Sequence, residues 1–203
     1  MTFLAFAIAG YALSFWVRRD AAFPGNLRDA FLARPWGIYS HVLFGGLALV
    51  LGPFQFRRTL LLRNRPLHRR LGLAYVACSS MTGLSGVYMA GYSYGGFVTH
   101  LGFGLLGCAT FVTALKAYFH IRSREVAPHR EWMIRNFALI FAAVTLRIEL
   151  PLLAIWLKEF DAPYAIVSWL CWVPNLLFAE WYVRRSRRTA GAELPTHSLA
   201  AGA

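Results

Sequence analysis

Acidic residues are scarce in this 203-residue chain, with nine Asp and Glu against 21 Lys and Arg, and charged residues of both signs make up only 15%. An ordinary soluble domain is nearer a quarter charged. Cysteine is almost as rare. Cys78, Cys108 and Cys171 fall in three different apolar runs, so neither a disulfide framework nor a metal-ligand spacing is present and small packing residues are expected. The chain has no HExxH pair, no phosphate-binding glycine loop and no Ser-His-Asp arrangement, which gives zinc hydrolases, P-loop enzymes and triad hydrolases little support. No linker, repeat or low-complexity tract breaks the first 186 residues.

What the chain does have is hydrophobic length. Hydrophobic residues make up 58% and the mean hydropathy is +0.47. A spanning helix needs about 20 mostly apolar residues, and six candidates run over residues 3–17, 38–56, 71–92, 97–120, 132–153 and 164–183. The expected fold is all-α: a polytopic membrane bundle of six transmembrane helices forming one domain over residues 1–186. A disordered cytoplasmic tail is expected over 187–203. The first segment is short and reads as an uncleaved helix rather than a signal peptide, since it lacks a basic leader and a small-x-small site.

A net charge of +12 would suggest nucleic acid in a soluble protein, but the placement of the charge argues otherwise. Fifteen of the 21 basic residues fall in 57–70, 116–135 and 184–188. Basic residues are retained on the cytoplasmic side, so both termini are expected inside and the 91–96 turn outside. Trp36, Tyr39, Tyr92, Tyr94, Trp156 and Tyr164 then suit an aromatic belt at the outer surface.

Four of the six histidines sit at the ends of consecutive apolar segments, on alternating sides. His41 and His100 fall at the outer ends of segments two and four, and His68 and His129 open segments three and five at the inner surface. Helical spacing places Gly45, Ala48 and Gly52 below His41, and Gly104 and Gly107 below His100. His68 leads to Gly72, Tyr75, Ser79 and Gly86, and His129 to Met133, Asn136, Ala143 and Arg147. A flat macrocycle held by histidine lies along the ligating helix and needs small residues there, and bundle cofactors are held by side chains on facing helices. Small residues at this spacing also serve close helix packing in lipid.

The expected sites are therefore two haem b groups with iron ligated by His41 with His100 and by His68 with His129. The first pair lies inside the apolar boundary and is the stronger of the two. Arg69 and Arg130 lie beside the inner pair and Arg147 near the outer one, where each can neutralise propionates. Arg147 and Glu149 are ionisable residues within a span, which are usually paired or functional. Arg135 and Glu180 are boundary residues, Arg135 reaching toward the inner surface.

The phrases GPFQF at 52–56, HRRLG at 68–72, HREWMIRNFAL at 129–139 and AAVTLR at 142–147 resemble a family of bacterial predicted membrane proteins catalogued as domain of unknown function 2306. That resemblance covers about residues 39–150 and implies a multi-pass protein of the bacterial inner membrane. It implies no activity. The histidine pattern also resembles six-helix di-haem transmembrane cytochromes b, in which helices two and four share one haem and helices three and five the other. That likeness implies transmembrane electron transfer with an unnamed redox partner. The alternatives are a cofactor-free transporter or proton-linked carrier, and a structural or regulatory membrane subunit. The lipid bilayer is a partner in every case, and nucleic acid in none.

Overall fold

In lipid the backbone must satisfy its own polar groups, so long apolar runs fold as helices. The computed structural model describes residues 2–18, 28–29 and 33–192, and among them no strand occurs. Helix α1 (Thr2–Arg18) packs on α2 (Pro35–Gln55), where Ala5 and Ala9 bury against a cluster containing Ala48 and Leu49. The short α3 (Arg58–Arg63) leads into α4 (Arg65–Ala90). Asn64 caps α4 by accepting the Leu67 N–H at 3.0 Å, and Pro66 follows in the first turn, where its missing N–H costs nothing. That cap starts α4 six residues ahead of the apolar run.

Gly95 and Gly96 turn the chain into α5 (Phe97–Arg122) with φ of +91° and +75°, a region that side chains with a Cβ rarely enter. Next come α6 (Val126–Ile140) and α7 (Ala142–Leu157), which run on from each other with one tightened turn at Phe141. Lys158, at φ +55°, ends α7. Helix α8 (Asp161–Leu170) similarly passes into α9 (Val173–Ala192) through Cys171 and Trp172, just ahead of Pro174. Proline cannot supply its helical hydrogen bond, which accounts for the interruption.

Among the described residues four stretches are long and apolar enough to cross a membrane: Pro35–Gln55, Phe97–Arg122, Val126–Leu157 and Asp161–Thr189. The other two expected spans differ for separate reasons. α1 has 17 residues, which at 1.5 Å per residue is about 25 Å, at the lower limit for a crossing helix. α4 has 26 residues but a low mean hydropathy, because Arg65, His68, Arg69 and Arg70 open it and Ser79, Ser80 and Thr82 lie along it. The serines and Thr82 are buried, so that part of its polarity faces protein and not lipid.

Helices α2, α4, α5 and α6 form a ring in which each packs on the next and α6 closes on α2. α2 therefore faces α5 across the ring, and α4 faces α6. Outside it, α8 packs on α5 and α7, α9 on α6, and α1 touches α7. α9 continues through Ala192, into the stretch expected as a tail, and residues 193–203 lie outside the described residues.

Candidate functional site

His41 projects from α2 onto α4. Its ring lies over Gly86, where an added Cβ would come within 3.3 Å of Cε1. The His41 Nδ1 donates to the Thr82 carbonyl at 3.1 Å, with the Ser85 hydroxyl at 3.5 Å. A carbonyl only accepts, so Nδ1 carries the proton and Nε2 keeps its lone pair. His100 is bonded the other way round, with Nε2 donating to the Ser93 carbonyl at 2.8 Å and Nδ1 left as the acceptor. It belongs to the staple that holds the 91–96 turn, together with Thr99, which donates to the carbonyls of Tyr94 and Gly96.

The glycines between these two histidines are occupied. A Cβ on Gly83 would stand 2.8 Å from the Gly107 carbonyl oxygen, and one on Gly107 would stand 2.8 Å from the Val87 nitrogen. α4 and α5 touch backbone to backbone there. The structure thus places His41 and His100 at one end of the bundle but ties them to separate partners.

The inner end is arranged differently. His129 Nδ1 donates to the Ala117 carbonyl of α5 at 2.8 Å, which leaves Nε2 as the acceptor. His68, in the first turn of α4, lies near enough for the His129 charge to act on it. Burial, and then that neighbour, hold the His68 imidazole below its usual range. The His68 Nδ1 is buried without a hydrogen-bond partner among the described residues, as is the Gln55 Nε2. Gln55 lies against Gly72, one turn beyond His68, where an added Cβ would be 2.9 Å from Oε1. His120 is paired with Glu125. Arg69 and Arg130 are exposed at this end.

Between the two ends is a polar knot that the helical stripes contain but do not single out. Asn136 of α6 is fully buried and makes four hydrogen bonds. Its Oδ1 accepts from the Tyr75 hydroxyl at 2.7 Å and the Ser79 hydroxyl at 2.9 Å, both on α4. Its Nδ2 donates to the Thr110 carbonyl at 2.8 Å and the Thr113 hydroxyl at 2.9 Å, both on α5. Tyr75 and Ser79 share the His68 stripe and Asn136 the His129 stripe. Their common membership was the available signal.

The remaining charged residues form two groups. Arg147 donates to the Ala143 carbonyl at 2.8 Å, stands 5.6 Å from the Tyr11 ring centroid, and lies close enough for its charge to act on His41. Glu149, two residues on, turns toward Cys171, and its Oε2 is buried without a partner among the described residues. Arg135 joins Glu180 at 2.8 Å and Glu131 at 3.7 Å, while Glu180 also takes Arg184 at 2.9 Å and Glu131 takes Arg187. This network ties α9 to α6. Among the described residues no three His, Cys, Asp or Glu side chains converge on a metal position.

The sequence phrases meet in this bundle. The Phe137 ring fills the space over Gly52, closer than 2.5 Å to where a Cβ would stand, and Gln55 covers Gly72. GPFQF therefore touches both HRRLG and HREWMIRNFAL, while Arg147 of AAVTLR reaches toward His41. No curated protein and no solved structure matches the chain. A family described as predicted membrane protein (DUF2306) matches residues 38–183, well over half of the sequence and all of the ring α2, α4, α5 and α6 apart from the first three residues of α2. The chain belongs to that family of predicted membrane proteins.

Proposed function

We propose that this membrane protein is a b-type haem electron carrier of the bacterial cytoplasmic membrane, with six crossing segments, both termini inside, and its principal haem held at the inner end by His68 and His129. The observation that carries this reading is the His129 bond to the Ala117 carbonyl. A histidine that ligates metal ordinarily donates its other ring nitrogen to a carbonyl or carboxylate, which fixes the tautomer and the ring plane. His129 has that arrangement, with Nε2 free, and stands across the ring of helices from His68.

The donor set fits the group. The two imidazoles come from facing helices, and two buried polar atoms in the same region have no partner among the described residues. Buried polar groups are normally satisfied. Bound haem would supply one-electron redox chemistry. The chain would supply two neutral imidazoles, a dry interior, and Arg69 and Arg130 at the surface to neutralise carboxylates. At the outer end His41 has the same fixed tautomer with Arg147 nearby, but His100 would have to release Ser93 before its Nε2 could ligate. One haem is therefore the reading for the resting bundle, which reverses the order of strength expected from sequence.

A reduced-minus-oxidised spectrum of protein purified from haem-sufficient cells tests the reading. A reduced Soret band and an α band are expected, both lost in His129→Ala and retained in His41→Ala. Protein that contains no haem would end the proposal. A second reading, a proton-linked carrier, rests on Glu149, whose carboxylate oxygen has no partner among the described residues and lies on α7, which carries Pro151 within it, near Cys171 at the α8–α9 junction. Proton-coupled flux in liposomes, abolished in Glu149→Gln and seen without a chromophore, would favour it.

A further inference from the structure

The turn between α2 and α4 combines two exposures that neither water nor hydrocarbon accommodates alone. Phe56, Leu61, Leu62 and Leu67 are exposed there, Leu62 to 65%. Around them lie Arg57, Arg58, Arg63, Arg65, Arg69 and Arg70, also exposed. Arg57 stands over the Phe54 ring at 5.5 Å. The other five have no acidic partner among the described residues.

The reason lies in where the acids are. No Asp or Glu occurs between Asp29 and Glu125. Among the described residues the acids at this end of the bundle are taken: Glu125 by His120, Glu131 by Arg187 and Arg135, and Glu180 by Arg135 and Arg184. None of the acids described at this end is left to answer α3, which leaves its arginines open to an anion from another molecule. Exposed leucines beside the arginines favour lipid over nucleic acid, since a helix with both kinds of residue rests at the boundary between headgroups and acyl chains. Arginine recognises phosphate through paired N–H donors.

We propose that α3 and the first turn of α4 form a binding site for anionic phospholipid, with Arg58, Arg63 and Arg65 taking the headgroup phosphates and Leu61 and Leu62 entering the acyl layer. Although His68 lies in the same turn of α4, none of Arg58, Arg63, Arg65, Leu61 and Leu62 is among the residues proposed to hold haem, so the site does not depend on that reading. Native mass spectrometry of the purified full chain, incubated with phosphatidylglycerol or phosphatidylcholine at equal concentrations, provides the test. The parent is expected to retain phosphatidylglycerol in preference. The Arg58→Gln, Arg63→Gln, Arg65→Gln triple variant is expected to lose about tenfold or more of that retention, since each basic group near an anionic surface contributes severalfold in affinity. Equal retention of both lipids by the parent, or undiminished phosphatidylglycerol on a folded triple variant, overturns the proposal. If the triple variant does not fold, photocrosslinking of parent protein in vesicles containing a benzophenone-bearing phosphatidylglycerol decides. Crosslinks within residues 56–67 support the site, and crosslinks confined to other segments refute it. Tighter binding of a short DNA duplex than of phosphatidylglycerol vesicles at physiological salt also overturns it.

Discussion

Replacing Asn136 with Leu keeps its branched outline and heavy-atom count and removes four hydrogen bonds at once. The Tyr75 and Ser79 hydroxyls lose the acceptor they share, and Thr110 and Thr113 lose an amide donor. Thr113 still donates to the Ala109 carbonyl at 2.7 Å, so the lasting damage falls on α4. Interhelical hydrogen bonds within membranes average about 0.6 kcal/mol and reach about 1.7. Four of them lead to an expected loss of roughly 2–4 kcal/mol, the upper part of that range coming from two buried hydroxyls left unsatisfied. Tyr75→Phe removes one bond and should cost about 0.5–1.5 kcal/mol. Reversible unfolding in mixed micelles, followed by circular dichroism, measures both variants and their combination. In the double variant the Tyr75 term should disappear, giving a coupling of about 0.5–1.5 kcal/mol. A loss below about 0.5 kcal/mol in Asn136→Leu, or strict additivity with Tyr75→Phe, would refute the view that this residue holds α4, α5 and α6 together.

Gly83→Val places side-chain atoms against the Gly107 carbonyl and the Phe111 backbone, neither of which can move aside; a drop in melting temperature of several degrees is expected, whereas Gly10→Ala, with nothing within 4 Å, should leave it unchanged. Glu131→Gln releases Arg187 and weakens the hold on α9, so limited trypsin digestion should cut within residues 184–188 faster than in the parent, with α1 unaffected. Tyr94 donates to Asp161 at 2.9 Å, and this bond, then burial and the carboxylate charge, raise the phenol above its usual range. Stability from that contact is full below the unfolded tyrosine value of about 10 and is lost as pH rises through the higher folded one. Thermal melting across that alkaline window should show a step in the parent that Tyr94→Phe lacks.

The helices were legible wherever apolar length alone decides structure, as at α2 and α5. The N-terminal extension of α4 rests on Asn64 and Pro66, signals within a basic stretch that hydropathy passes over. Periodicity correctly placed Tyr75 and Ser79 below His68, and Asn136 below His129. It reports which residues share a face and not which helix that face meets, so the joining of the two stripes at Asn136 required the fold. The glycines show the same limit in reverse. Gly52 and Gly107 were expected as room for a macrocycle, but Phe137 and the backbone of α4 fill that room. The pairing of Arg135 with Glu180 links residues 45 positions apart, and no local pattern announces it.

Asn136 has spent its entire capacity: two bonds accepted, two donated, and no atom in reach of water. A proton passing along the bundle axis from His41 toward His129 would need a donor or acceptor there that is free to turn over, and the amide has none to lend. The amide at the centre of the ring is therefore closed as a relay, and any proton moving between the two ends of the bundle has to pass around Asn136.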